Sequence, residues 1–470
     1  MNMVRRPGRS SPAGGRQFDT SAPSSDAGPR SAAAPDLTPG VLIAYEREAV
    51  KEVMARLQGS VGIRSIAYAS EFAGQAVDLA QARQAGMVVF DNLGVAVIDA
   101  DPDQAASMAI LSGDPAIAAI EPEPIYFAFV DGAPADFQTY FRGYKDAVDH
   151  LYEKLMGGGR AGVSQGGAAA QAFQDTADAT WGLVATQSIS SKFSGRGVRV
   201  AVLDTGLDVD HPDYRGRHVV SQSFIPEQSA DDDNGHGTHC IGTACGPNGP
   251  VRGPRYGIAY EAEIYVGKVL SNQGSSLGRS TLAGMEWAVS NGCHIVSMSL
   301  GGSVQPGQRH LTAFEAAARE ALRRNSLIVA AAGNDSRRVQ GKVRPVSSPA
   351  NCPSIIAVAA VDRVLRTADF SNGSINAEGR VDIAGPGVDV YASAPEPAAT
   401  PQPPFFRQWS AQYDTISGTS QATPHVAGIA ALLRQENPSL TASELWRLLT
   451  SRAQPLPQPS GDVGAGLVQG

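Results

Sequence analysis

The chain has 470 residues, 42% hydrophobic and 18% charged, the balance of an ordinary globular protein with room for two or three domains and a large core. A net charge of -8 argues against nucleic acid or an anionic membrane as partner, and no run of about 18 apolar residues is present to span a bilayer. Four cysteines, Cys240, Cys245, Cys293 and Cys352, are too few to staple a chain this long, so they are expected to be reduced and packed.

Residues 1–39 are rich in Ser, Pro, Gly, Ala and Arg and read as a disordered leader, because such a composition buries too little apolar surface to offset the entropy of ordering. The basic start MNMVRRPGRS is not followed by an apolar stretch, so no secretory signal is read. The default expectation is a cytoplasmic chain, with export by another route left open. From residue 40 the texture changes. VLIAYE predicts a strand, REAVKEVMARLQ an amphipathic helix and GIRSIAYA a weaker strand. GMVVFD and GVAVIDAD flank a turn at Asn92-Leu93-Gly94, a helix is predicted at PDQAASMAILSG, and AIAAIEPEPIYFAF predicts a last strand. The order β-α-β-β-α-β is that of a small ferredoxin-like α+β domain over 40–129. A helix at DFQTYFRGYKDAVDHLYEKLM and the glycine-rich GGGRAGVSQGGAAAQ then make 130–180 a linker.

From Trp181 to the end, short apolar runs alternate with helical patterns. GVRVAVLD, EIYVGKVL, HIVSMSL, LIVAAAG and IIAVAAVD are hydrophobic throughout rather than in alternation, as strands covered on both faces are. Helices are predicted at STLAGMEWAVSNG and LTAFEAAAREALRRN, and a closing helix at TASELWRLLTSRAQPL carries the Thr441-x-x-Glu444 capping-box pattern. The fold class is α/β, an open doubly wound parallel sheet over 181–470, whose site belongs at the carboxyl ends of the strands.

The residues at those ends are Asp204, then Ser299, Leu300 and Gly301, then Asn334. Each alone could simply cap a loop. In DDDNGHGTHCIGTACG, His236 lies between two glycines; the run Asp231 to Asp233 reads as a solvated loop. His236, His239, Cys240 and Cys245 resemble a zinc set, but their spacing lacks the paired Cys-x-x-Cys of a structural site. In SGTSQATPHVAGIAALLRQE the apolar residues recur at helical spacing, and Pro424 is tolerable only in a first turn. That puts Ser420 at or beside the amino terminus of a buried helix, where a hydroxyl either caps the helix or acts as a nucleophile toward a carbonyl. Asp, His, Asn and Ser together contain every part needed for acyl transfer, and the order Asp, His, Ser is a known triad order.

At these places the chain resembles the subtilisin-like serine proteases, the subtilases of peptidase family S8. The motifs AVLDTGLDVDHPD, NGHGTHCIGTA, SMSLGG, AAAGN and SGTSQATPHVAG stand in family order across about 180–450. The resemblance implies a serine endopeptidase in which Ser420 attacks the scissile carbonyl, His236 carries the proton, and Asp204 holds the imidazole. Asn334 and the Ser420 N–H would form the oxyanion hole. It makes Ser299, Leu300 and Gly301 one edge of the substrate groove and Gly274 and Ser275 the other, with Ala331, Ala332 and Gly333 in the wall of the P1 pocket. Asp335 would stand where it attracts a basic P1 residue. The 40–129 domain resembles the family's propeptide, an intramolecular inhibitor and folding aid, with self-cleavage expected between 130 and 180. Polypeptides are the implied substrates, without nucleic acid or membrane as partner. The chemistry needs no cofactor, but Asp213 matches a family ligand for structural calcium; the loop GPNGPVRGPRY, which would supply further oxygens, departs from the family in length and is rich in Pro and Gly. Cys240 would lie under the catalytic His as packing. A maturation peptidase with few substrates and an inactive peptide-binding homologue are the alternatives.

One departure carries a prediction. Gln421 follows Ser420 where subtilisins usually carry an oxidisable methionine. Treatment with hydrogen peroxide should leave peptidase activity intact, and rapid inactivation without cysteine modification would contradict this.

Overall fold

The computed structural model describes residues 39–129 except 64, 73–78, 80–85, 100–107, 109, 110 and 112, and then residues 172–396, 409 and 411–470. The expected leader, the helix expected at 136–156 and the glycine-rich stretch after it lie outside the described residues, as does most of the helix expected at 102–113.

The N-terminal body is built from β1 (Val41–Tyr45), α1 (Val50–Val61), β2 (Ala67–Tyr68), β3 (Met87–Phe90), β4 (Val95–Ile98) and β5 (Ile117–Pro122). Its sheet runs in the order β2-β3-β4-β1-β5. All pairs are antiparallel except β2 with β3. Strands β3, β4, β1 and β5 make the ferredoxin-like arrangement expected; GIRSIAYA contributes only the two-residue edge β2. Period-two alternation sorts the side chains. Ile43, Val89, Ala96 and Ile98 meet Val53, Met54 and Leu57 of α1 in one core. Leu42, Ala44, Val88, Phe90, Val95 and Val97 face the opposite way into the core of the C-terminal body. Gly94 closes the β3–β4 turn at φ +71, a left-handed position that glycine accepts without steric penalty.

The predicted last strand divides. Pro122, the last residue of β5, and Pro124 just after it cannot donate to a ladder. Residues Ile125–Ala128 form β6, which leaves the plait and pairs elsewhere.

The C-terminal body begins with α2 (Trp181–Ala185) and β7 (Arg199–Asp204), followed by β8 (Val219–Ser223), α3 (His236–Cys245), β9 (Glu263–Lys268) and β10 (Ser275–Leu277). Next come α4 (Gly278–Ser290), β11 (Ile295–Met298), β12 (Leu300–Gly301), α5 (Thr312–Arg323), β13 (Leu327–Ala331), β14 (Ile356–Val361) and β15 (Ile383–Pro386). The hairpin of β16 (Val390–Ser393) and β17 (Tyr413–Ile416) precedes α6 (Thr419–Glu436) and α7 (Ala442–Arg452). Seven strands form one sheet in the order β15-β14-β13-β11-β7-β9-β8, every pair parallel. The five strands read from the sequence are its centre, and β8 and β15 are its edges. Ala201, Leu203, Val296, Met298, Ile328 and Ala330 pack against α4 and α5 on one face. Val200, Val202, Ile295, Leu327 and Val329 pack against α3, α6 and α7 on the other. The capping box of Thr441 and Glu444 starts α7 as expected.

The two bodies meet where the plait covers α4 and α5, and carboxylates of both bodies make polar contacts there. Glu121 accepts from the N–H groups of Thr312 (2.7 Å) and Ala313 (3.0 Å), donors at the start of α5 that have no partner within the helix. Glu123, fully buried, accepts from the Arg279 N–H (2.7 Å) and its guanidinium (2.6 Å from Nη2), which also reaches Asp99 (2.6 Å). Glu286 of α4 accepts from the amide of Asn92, and its other oxygen has no partner among the described residues.

Burial pushes the Glu286 pKa from its ordinary 4.5 up to about 7. The docked pair therefore holds a proton that the separated pair has released. Docking carries no penalty from this group below the ordinary value, and the penalty grows as pH rises toward 7. In a chain cut within 130–171 by a site-specific protease, the N-terminal body should dissociate more readily at pH 8 than at pH 5.5, by roughly 30-fold in Kd. Size-exclusion chromatography at both pH values checks this, and Glu286→Gln should flatten the difference.

Candidate active site

In the seven-stranded sheet the chain moves from β7 outward to β9 and β8 on one side and to β11, β13, β14 and β15 on the other. The carboxyl ends of β7 and β11 thus border the crevice where the winding reverses. Asp204 ends β7, and Ser299 follows β11 directly. Asp204 Oδ1 lies 2.7 Å from His236 Nδ1, and both side chains are buried. Asp204 Oδ1 also accepts from the Thr205 N–H (2.7 Å), fixing the carboxylate against its own strand end. Burial is the largest single influence and works against the imidazolium, but the Asp204 charge, the neighbouring Cys240 sulfur and the hydrogen bonds to both together outweigh it and hold the His236 pKa well above its ordinary 6.5. Burial also pushes the Cys240 thiol up from its ordinary value, against the opposing pull of the His236 imidazolium.

His236 opens α3, and its position is set by a residue that the sequence reading assigned to a solvated loop. Asp232 is buried. Its Oδ1 accepts from Thr205 Oγ1 (2.8 Å), Asn234 N–H (3.2 Å) and Gly235 N–H (2.8 Å). Its Oδ2 accepts from the Thr238 N–H (2.8 Å) and Oγ1 (2.7 Å). The charge caps the start of α3, where the helix dipole favours an anion, and ties it to the end of β7. Lys268, fully buried, donates to the Thr205 carbonyl nearby. The signal available in the sequence was an aspartate four residues before a histidine that begins a helix.

The three hydroxyls at the start of α6 have separate partners, and none caps the helix. Gly418 is the N-cap residue and offers no side chain. Ser417 Oγ accepts from the Asp389 N–H (2.9 Å). Thr419 Oγ1 donates to Asn334 Oδ1 (2.8 Å). Ser420 Oγ donates to the Ser299 carbonyl (3.0 Å), while His236 Nε2 has no partner among the described residues. Pro424 lies beyond the first turn, contrary to expectation, and so deprives the Ser420 carbonyl of its i+4 donor. Ser299 Oγ (2.8 Å) and the Cys240 thiol (3.5 Å) donate to that carbonyl instead. Gln421 is fully buried with neither amide atom bonded among the described residues.

Strand β6 of the N-terminal body lies between β10 and β12, antiparallel to both. Ser275, Ser276 and Leu277 pair with Phe127, Tyr126 and Ile125. Leu300 and Gly301 pair with Ala128 and Phe127 on the other side. The Ala128 N–H donates to the Gly274 carbonyl (2.9 Å) and the Phe129 N–H to that of Ser299 (3.5 Å). The groove edges expected at Gly274, Ser275 and Ser299 to Gly301 are therefore brought together around an extended segment of the same chain. Beyond it, Asn334 Nδ2 donates to the Phe129 carbonyl (3.1 Å). Asn334 is oriented for this by Oδ1, which accepts from the Thr419 N–H (2.9 Å) and hydroxyl. The Phe129 ring lies on Gly301, where a Cβ would come within 2.8 Å of it. Ala331 and Ala332 are buried at the end of β13, while Gly333 faces Ser347 and Asn372. Asp335 accepts from Ser303 (3.0 Å), and the residue in the position before the groove's end is an uncharged phenylalanine.

Residues 195–466 match the family model described as the subtilase family. The chain belongs to the subtilase family. Subtilisin Savinase of Lederbergia lenta is 37% identical over 292 residues, covering 61% of this chain and 96% of that protein. M-protease of Shouchella clausii (strain KSM-K16) is 37% identical over 61% of this chain and 68% of its own length. An intracellular serine protease of Paenibacillus polymyxa is 33% identical over 61% and 83%. This subtilase is a serine-type endopeptidase, a hydrolase of polypeptides whose catalysis needs no cofactor.

The residues around Asp213 do not fit a calcium ion. Its Oδ1 accepts from the Val251 N–H (2.8 Å) and its Oδ2 from the Tyr256 hydroxyl (2.5 Å). Tyr391 and Tyr413 stack beside Tyr256, with ring centroids 5.8 Å apart. Calcium takes six to eight oxygens, and both oxygens of Asp213 are already committed to protein donors. Among the described residues the only group of three His, Cys, Asp or Glu side chains close enough to share an ion is Asp204, His236 and Cys240. The four cysteines are free and buried, and His239 and Cys245 do not join that group. An occupied ion site at a hundred times its Kd would add roughly 3 kcal/mol. Asp213→Asn should therefore lower the melting temperature equally in excess EDTA and in millimolar calcium, where an ion held by Asp213 would make the loss several degrees larger in calcium.

Proposed function

We propose that this subtilase is made as a self-processing precursor, with Ser420 as nucleophile, His236 as general base and acid, Asp204 as its orienting carboxylate and Asn334 as oxyanion donor. The observation that carries the reading is the Phe129 carbonyl, held on Asn334 Nδ2 at the end of a strand that fills the groove. The bond after Phe129 is then the one presented for cleavage, at the near edge of the 130–180 span read from the sequence.

The reaction starts when Ser420 Oγ turns from the Ser299 carbonyl toward His236 Nε2, which has no other partner among the described residues. Oγ attacks the Phe129 carbonyl carbon as its proton passes to Nε2. The carbonyl oxygen becomes an oxyanion, and Asn334 Nδ2 is already within hydrogen-bond distance of it. Collapse breaks the bond to the nitrogen of Val130, which takes the proton from Nε2 and leaves as an amine. Water then repeats the sequence on the acyl-enzyme, releasing a Phe129 carboxylate and restoring Ser420. Asp204 on Nδ1 fixes the tautomer that presents Nε2 and stabilises the transient imidazolium. Residues 40–129 remain in the groove as an inhibitor until displaced, and the same docking explains their use as a folding template.

The Asp204 carboxylate also sets the pH dependence. Since the His236 pKa is raised in the docked form, the neutral imidazole needed as base is scarce near pH 6.5 and increases as pH rises above it. Self-cleavage should accelerate with pH on the alkaline side of 6.5. Purified wild type should yield fragments ending at Phe129 and beginning at Val130, and Ser420→Ala should keep its full mass. The same N-terminus in both proteins would refute self-processing.

A further inference from the structure

Four residues before the presented bond, the Tyr126 side chain enters the C-terminal body and is wholly buried. Its ring meets Phe314 edge-on, with centroids 5.2 Å apart. Gly302 borders the ring: a Cβ there would lie 3.4 Å from it. At the bottom the phenol oxygen is 2.9 Å from Ser348 Oγ, its hydrogen-bond partner. Ser348 is held in place from both sides of its backbone, since its N–H donates to the Gly302 carbonyl (3.0 Å) and its carbonyl accepts from the Gly302 N–H (2.8 Å). Gly302 in turn follows β12, the groove edge that pairs with the segment bearing Tyr126. The hydroxyl that meets the phenol is therefore fixed by the strand that sets the register of the bound segment.

We propose that Ser348 makes this cleft selective for tyrosine, over phenylalanine, at the fourth position before the cleaved bond, so that the preferred polypeptides carry Tyr-x-x-Phe ahead of the cut. The inference rests on the hydrolase reading above and adds to it the side chain that the site selects. A buried hydroxyl left without its partner costs free energy, whereas a phenylalanine fits the same apolar walls but leaves Ser348 Oγ unpaired. Tyr126 itself is bound as such a substrate side chain. The small Ala128 and the Phe129 ring on Gly301 complete the pattern that the groove holds.

The test compares two p-nitroanilide peptides, succinyl-Tyr-Phe-Ala-Phe and succinyl-Phe-Phe-Ala-Phe, on the processed wild-type enzyme, with fluorophosphonate labelling of Ser420 run alongside. A kcat/KM higher by about tenfold for the tyrosine peptide is expected, the size of one net hydrogen bond. In Ser348→Ala the ratio should fall to about one. Equal kcat/KM in the wild type, or an undiminished ratio in Ser348→Ala, overturns the proposal. Labelling without cleavage of either peptide also overturns it, while leaving the hydrolase reading in place. Absence of both labelling and cleavage overturns that reading together with the proposal. Should Ser348→Ala fail to fold, the wild-type pair decides, since it needs no variant.

Discussion

A buried carboxylate must be met by donors, and the way Asp232 is met determines the geometry of everything around it. Its two oxygens accept from Thr205, at the end of β7, and from three N–H groups and a hydroxyl at the start of α3. Strand end and helix start are thereby locked to one another, and these are the two places that carry Asp204 and His236. The 2.7 Å contact between those side chains is a consequence of that lock. A helix start with four unsatisfied N–H groups is a natural place for the negative charge, and the buried Lys268 ammonium stands on the other side of Thr205. Charge, dipole and hydrogen bonds agree, which is why so polar a cluster can sit within a dry region.

The extended segment 121–129 is held by the same economy of donors. Glu121 and Glu123 lie two residues apart, on one face of an extended chain, and each satisfies N–H groups at the start of a helix of the C-terminal body. A slip of one residue would turn both carboxylates away from the helices. The two contacts therefore act as a register pin for β6, which adds main-chain bonds to β10 and β12 only a few residues later. The Phe129 carbonyl reaches Asn334 because this register is fixed far upstream of it. The proposed inhibition and the proposed presentation of a bond are two descriptions of one alignment.

Much of this was legible in the sequence, for identifiable reasons. The five central strands are continuous apolar runs because helices cover both faces, and such runs stand out without any tertiary knowledge. Asp204, Asn334 and Ser420 fall at strand ends and a helix start, places that the winding of the sheet alone marks out. The edge strands β8 and β15 were not legible: VVSQS is half polar because one side of an edge meets solvent, and IAGP contains two residues that weaken a strand. Asp232 was misread because three consecutive aspartates look solvated until a helix start and a threonine from β7 arrive to bond the middle one. AIAAIEPEPIYFAF was read as a single strand although Pro122 and Pro124 interrupt it; what fixes the break is Glu123 between them, held by Arg279, 156 positions away. For Asp232 and Glu123 the deciding partner was distant in sequence, whereas the edge strands were hidden by their own composition.

Pro424 shows how such a distant partner can become part of a site. A proline in the second turn of α6 removes the donor that would have served the Ser420 carbonyl. Left unmet inside a buried helix, that carbonyl would be costly. Its replacements come from Ser299, on the groove edge, and Cys240, on the helix that begins with His236. The backbone of Ser420 is thus bonded to both of the elements with which its side chain is proposed to work. None of the three can shift without breaking a bond to another, so the break in the helix ladder makes the crevice more rigid where the sequence alone suggested only a tolerated defect.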